Sequence, residues 1–135
     1  MGVILCATGN GPQSRLVQTA AVEAALARNK SLVLLHVVDL RQLGELEESL
    51  LPAARTEMAW LGEAVLRLAE DRAQRRGVQT DSVILYGNVC DALEDYMRAH
   101  PADLLLMGEA TSDEITTFAR HVRDDLGVEV EFVAG

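Results

Sequence analysis

The chain has 135 residues, 49% of them apolar, and 12 basic against 21 acidic side chains give it a net charge of −9. That size and composition fit one globular domain over residues 1–135 that needs no disulfide or metal staple. The acidic balance excludes phosphate-backbone binding and docking on anionic lipid, so neither nucleic acid nor membrane is expected as a partner.

The start, MGVILCATG, has no basic n-region. No stretch approaches the ~18 apolar residues of a membrane span. The expected location is cytoplasmic. Met1-Gly2 invites a myristoylation reading, but Ile4, Leu5 and Cys6 read better as a core strand. Cys6 and Cys90 read as two reduced thiols.

Val3 to Ala7 is the first strand, apolar on both faces as a central parallel strand should be. Thr8-Gly9-Asn10-Gly11-Pro12 breaks it. The first helix follows with Ser14 as its N-cap and runs to about Arg28. Its inner face is Val17, Ala20, Ala21 and Ala24, with Leu16 beside it. Leu32 to Val38 is the second strand, interrupted in polarity only by His36 and ended by Asp39. Arg41 to Ser49 reads as a loop or a short turn.

Pro52 suits a first helical turn, and a second helix extends to about Arg76 with Ala54, Met58, Leu61, Val65, Leu68 and Ala69 as its apolar stripe. Trp60 reads as a core or contact residue. Arg75-Arg76-Gly77 is a C-terminal signature. Asp81 to Tyr86 is the third strand, and Gly87-Asn88 ends it. The third helix spans roughly Val89 to Ala99, with Leu93, Tyr96 and Met97 inward; Pro101 stops it.

Leu104 to Met107 is the fourth strand, closed by Gly108. A fourth helix opens on a capping box, Thr111 at the N-cap and Glu114 at N3, with Ile115, Phe118, Ala119, Val122 and Leu126 inward. Val128 to Val133 is the fifth strand, and its alternation marks an edge or a subunit contact. Alternating strands and helices give an α/β fold: a five-stranded, mainly parallel sheet with helices on both faces.

Chemical motifs are sparse. Gly9-Asn10-Gly11 after a strand is where backbone N–H groups and a helix N-terminus meet a phosphate, but Ser14 stands where a dinucleotide fingerprint needs glycine. A simple tight turn is the plainer reading. His36, His100 and His121 have no ligand spacing, so no metal site is expected. No G-x-S-x-G elbow occurs, and Asp91 reads as an N-terminal charge of the third helix. Catalytic residues: none are expected.

The stretches LLHVVD at Leu34 to Asp39 and VILYGNVCDALEDYMRAHPADLLLMG at Val83 to Gly108, behind a strand and a glycine-marked loop, resemble the universal stress protein family. The resemblance covers essentially the whole chain. It implies a Rossmann-like sandwich of the adenine-nucleotide-binding type and a homodimer paired through the last strand, here Val128 to Val133. An exposed edge with open N–H and C=O groups suits that role.

ATP-binding members carry Gly, two residues, Gly, nine residues, Gly and then Ser or Thr after the fourth strand. Gly108 matches the first glycine, whereas Thr111 and His121 stand at the others, with Val122 following. With a gap, the phosphate loop looks deleted to Gly108-Glu109-Ala110-Thr111-Ser112. Glu109, Asp113 and Glu114 then lie where a triphosphate would be repelled. The family's aspartate after the first strand is absent, Ala7-Thr8-Gly9 standing there.

The expectation is a regulatory or interaction domain that does not bind ATP in the usual way, with no cofactor and with protein partners of unknown identity. The alternative is an adenosine-type ligand, such as AMP, or a small anion in a reduced site of Thr8, Gly9, Val37, Met107 and Gly108. Slow nucleotide hydrolysis is a third reading, for which the sequence offers neither phosphate cradle nor metal ligand.

Overall fold

Apolar runs and amphipathic stretches alternate along the chain, and in the computed structural model, which describes residues 2–9, 13–109 and 112–134, each run pairs into one sheet. The strands are β1 (Val3–Ala7), β2 (Ser31–Val38), β3 (Thr80–Tyr86), β4 (Leu104–Gly108) and β5 (Glu129–Val133). The helices are α1 (Ser14–Arg28), α2 (Leu51–Arg75), α3 (Val89–Ala99) and α4 (Asp113–His121). Between β2 and α2 lie two 3-10 turns, Leu40–Leu43 and Glu48–Leu50, and a π-helical turn, Val122–Leu126, follows α4.

Spatial order is β3-β2-β1-β4-β5, and every ladder is parallel. The chain starts in the middle of the sheet, steps outward to β3, then crosses back over β1 to β4. That reversal leaves a crevice between the carboxyl ends of β1 and β4, the place where open α/β sheets hold ligands. Alternation along β5 does mark an edge: Val130 is buried, while Glu129 and Glu131 on either side are exposed.

Two cores sandwich the sheet. On one face α1 and α2 cover Ile4, Cys6, Leu34, Leu104 and Leu106; on the other α3 and α4 cover Leu5, Leu35 and Leu105. Each fully buried leucine stabilises the fold by roughly 1.5–3 kcal/mol. Ala21 and Ala25 let α1 lie close to the strands, and both are completely enclosed. Leu16, placed beside that inner face by its spacing, is instead half exposed.

Three expectations need correction. Ser14 is the first helical residue of α1 and not its cap; Gln13 takes the cap position without a side-chain bond. The cap of α4 is Ser112, whose Oγ accepts from the Ile115 N–H at 3.3 Å; Thr111, expected in that role, lies outside the described residues. The stripe assigned to α2 is rotated. Gly62, Leu66, Ala69 and Ala73 face the sheet, Ala54, Met58 and Val65 are half-buried, and Leu61, Leu68 and Trp60 point outward. This helix has apolar residues on two faces, and the position of glycine decides between them. Gly62 packs against the His36 ring, and a larger residue would not fit.

Candidate functional site

β1 ends at Ala7, and Thr8 continues the ladder by one more bond, its N–H donating to the Leu35 carbonyl at 2.8 Å. β2 brings His36 and Val37 alongside, and β4 brings Met107 and Gly108 from the other side. The result is a crevice of about 380 Å³ whose wall includes Thr8, Gly9, Val37, Met107 and Gly108, all five residues expected from the sequence. Asn10, Gly11 and Pro12, the rest of the glycine-marked turn, lie outside the described residues.

The floor is rigidly held. Thr8 is buried, and its hydroxyl accepts from the Gln18 amide at 2.6 Å. Gln18 in turn accepts from Arg72 of α2 at 3.0 Å. The Thr8 carbonyl accepts from His36 Nδ1 at 2.9 Å, which fixes that nitrogen as the protonated one. His36 is thus a core histidine, as its apolar strand suggests, but only half satisfied: its buried Nε2 has no hydrogen-bond partner among the described residues.

The crevice continues as a second lobe of about 480 Å³, reached past Gln42, Val89, Met107 and Gly108. Its rim carries Glu109, Ser112 and Glu114. Helix α4 begins at Asp113, so only Glu109 to Ser112 link it to β4, and Ala110 and Thr111 of that link lie outside the described residues. Cys90 also lines this lobe, its thiol pushed up by burial and, less, by the charge of Glu114. Cys6, at the centre of the sheet, is pushed up to about 12 by burial alone. Both cysteines are free thiols.

At the outer lip, buried Asp39 holds Arg41. Its carboxylate accepts from the Arg41 backbone N–H at 3.0 Å and from Nε and Nη2 at 3.2 and 3.0 Å. The guanidinium keeps the Asp39 carboxyl below the usual carboxylate range, against the upward push of burial. Sequence reasoning missed this pair, as it missed Gln42 and Val89. An aspartate closing a strand two residues before an arginine was the available signal. Asp91 does sit in the first turn of α3, where Asn88 is the cap, accepting from the N–H groups of Cys90 and Asp91.

His121 lies away from the crevice. It bridges Glu94 of α3 and Asp125, at 2.8 and 2.7 Å. Among the described residues no group of three or more His, Cys, Asp or Glu could hold a metal ion, and no helix is long and apolar enough to cross a membrane.

A family model described as the universal stress protein family matches residues 1–120. The chain belongs to the universal stress protein family. Among solved universal stress proteins, one from Burkholderia pseudomallei is 28% identical, covers 98% of this chain and 95% of its own, and superposes with a TM-score of 0.76. A universal stress protein in complex with cAMP is 21% identical, covers 98% and 96%, and gives 0.70. One from Arabidopsis thaliana with AMP bound is 14% identical, covers 99% and 92%, and gives 0.72. At such low identity the last two show the shared fold. No curated protein sequence matches the chain.

Proposed function

We propose that this universal stress protein is a regulatory domain, working as a homodimer in the cytoplasm, that does not hold ATP in the triphosphate mode. The observation that carries this reading is the rim of the second lobe, where Glu109 on the link from Gly108 and Glu114 in the first turn of α4 stand. Phosphates leaving the crevice in that direction would meet carboxylates, and each exposed unit charge at close range opposes them by about 1 kcal/mol. Nucleotide hydrolysis would need the same triphosphate held still, so no catalytic role is assigned.

A second reading concerns the first lobe. Thr8, Gly9, Val37, Met107 and Gly108 line a recess large enough for a nucleoside, and its apolar walls with a few converging polar groups match small-molecule sites in general. Relatives of the same fold bind cAMP and AMP. An adenosine-type ligand with few phosphates is therefore the ligand class proposed for the crevice.

The test is calorimetric titration of the purified protein with adenosine, AMP and ATP, after its denatured supernatant has been searched for adenine nucleotides by mass detection. Affinity that falls from adenosine through AMP to ATP supports both readings. ATP binding tighter than AMP would sink the first. No heat with any of the three, and a clean supernatant, would sink the second.

A further inference from the structure

Beside the crevice, on the far side of Asp39, lies a separate recess of about 410 Å³ between the ends of β2 and β3 and the first turns of α2. Thr8, Gly9, Gly108 and Glu109 take no part in it. Its wall is apolar at Val38, Leu40 and Tyr86. Two arginines reach it from different elements, Arg41 from the turn after β2 and Arg55 from α2.

The charges there do not cancel. Asp39 and Arg41 neutralise one another as an ion pair. Arg55 has no ion pair among the described residues; its guanidinium lies over the Tyr86 ring, 4.4 Å from the centroid. Stacking occupies the face of a guanidinium and leaves its N–H edge free, the geometry that receives a carboxylate with two parallel bonds. Gly87 keeps the adjoining space open, since a Cβ there would meet nothing within 4 Å, and its φ of +122° disfavours any larger residue. In a chain of net charge −9, this is a recess with apolar walls and one uncompensated cation.

We propose that this recess binds a small monocarboxylate with a flat apolar body. The body lies against Tyr86, Val38 and Leu40, Arg55 clamps the carboxylate, and Arg41, held in place by Asp39, closes the other side. The site shares Asp39 and Arg41 with the second lobe of the crevice, but none of Thr8, Gly9, Val37, Met107 and Gly108 lines it.

Benzoate is the probe, and benzamide, its uncharged match in shape, is the control. Both are titrated into isotope-labelled protein while amide and arginine Nε resonances are followed. Benzoate should shift Gly87, Asn88 and Arg55 Nε, and bind at least tenfold tighter than benzamide. Arg55→Ala, at an exposed position on α2, should weaken benzoate at least fivefold with unchanged far-ultraviolet circular dichroism, and Arg55→Lys should not restore it. Arg67→Ala, elsewhere on the same helix, should change nothing. Equal response to benzamide, shifts centred on Gly9 and Gly108, or full binding by Arg55→Ala would each overturn the proposal. Those outcomes leave the crevice reading intact, because its reporters are different residues.

Discussion

The imidazole of His36 lies directly against Gly62, so that a Cβ added to the glycine would come 2.8 Å from Nε2 and closer still to the ring carbon. One glycine in the middle of a 25-residue helix thus makes room for a buried histidine in the neighbouring strand. The same ring supports the crevice floor through Thr8.

Gly62→Ala therefore runs against the ordinary rule. Alanine in a helix is favoured over glycine by about 1 kcal/mol. Overpacking a filled core costs about 1–3 kcal/mol, and displacing His36 endangers its bond to Thr8 for about 1 kcal/mol more. The variant should be destabilised by about 1–3 kcal/mol net, seen as a lower urea midpoint at unchanged slope. A more stable Gly62→Ala would mean that the ring turns aside freely.

The strands were legible because their chemistry is one-dimensional: Leu104 to Met107 and Leu34 to Val38 are buried on both sides, and a largely apolar run says so. All five residues named for the crevice sit in its wall, because the ends of β1, β2 and β4 must converge once the strand order is fixed. The face of α2 was not legible. Leu61 and Leu68 compete with Leu66 and Ala69 as an inward stripe, and the steric demand of His36 that settles the matter comes from a residue 26 positions away in the chain. Arg72 meets Gln18 across two helices, and no spacing in the sequence reports such a contact.

Asp39 gives a pH prediction. Its carboxyl is held low chiefly by the Arg41 side chain, with the backbone N–H groups of Arg41 and Val89 assisting and burial opposing. A folded-state value below the unfolded one means stability that is present above the unfolded value, about 3.9, and lost as pH falls through the folded value. Asp39→Asn should be less stable than the parent at pH 7, and the gap should begin to close below about pH 4 and vanish once pH has fallen through the lower folded value, where the parent's carboxyl protonates too. Part of the acid limb should survive in the variant. Glu94 and Asp103 are also held low, chiefly by Arg98 and Lys30. Denaturant midpoints on both proteins from roughly pH 2.5 to pH 7 check it. A gap that persists unchanged in acid would mean that Asp39 acts by packing alone.

The acidic rim is open to direct test. Glu109→Gln with Glu114→Gln removes two charges from the lobe beyond Gly108 without changing its shape. Affinity for ATP should rise by about 1–2 kcal/mol, roughly 5- to 30-fold, with less gain for AMP and none for adenosine. The gain should shrink in high salt, since both carboxylates are exposed. Calorimetry on the three ligands reads the order. Equal gains for adenosine and ATP would show that the substitutions act on shape and not on charge.

The homodimer expected through β5 needs a variant chosen with the fold in hand. Val130→Lys, natural from the sequence alone, would put a charge among Leu105, Phe118 and Val122 of the chain's own core and unfold it. Phe132 is the better position: it packs against the same core but is only half-buried there, at the edge. The Glu129 N–H donates inward to Asp103, so by strand alternation the N–H of Val130 and of Phe132 points away from β4, toward a partner strand. The parent should scatter light as twice its 14.7 kDa chain, and Phe132→Lys should scatter as one chain with unchanged far-ultraviolet circular dichroism. A parent that is monomeric at every concentration would sink the homodimer, and a Phe132→Lys that stays dimeric would move the interface off this edge. The outward row of Leu61, Leu68 and Trp60 on α2 would then be the next surface to probe, Trp60 being the chain's single tryptophan and 74% exposed.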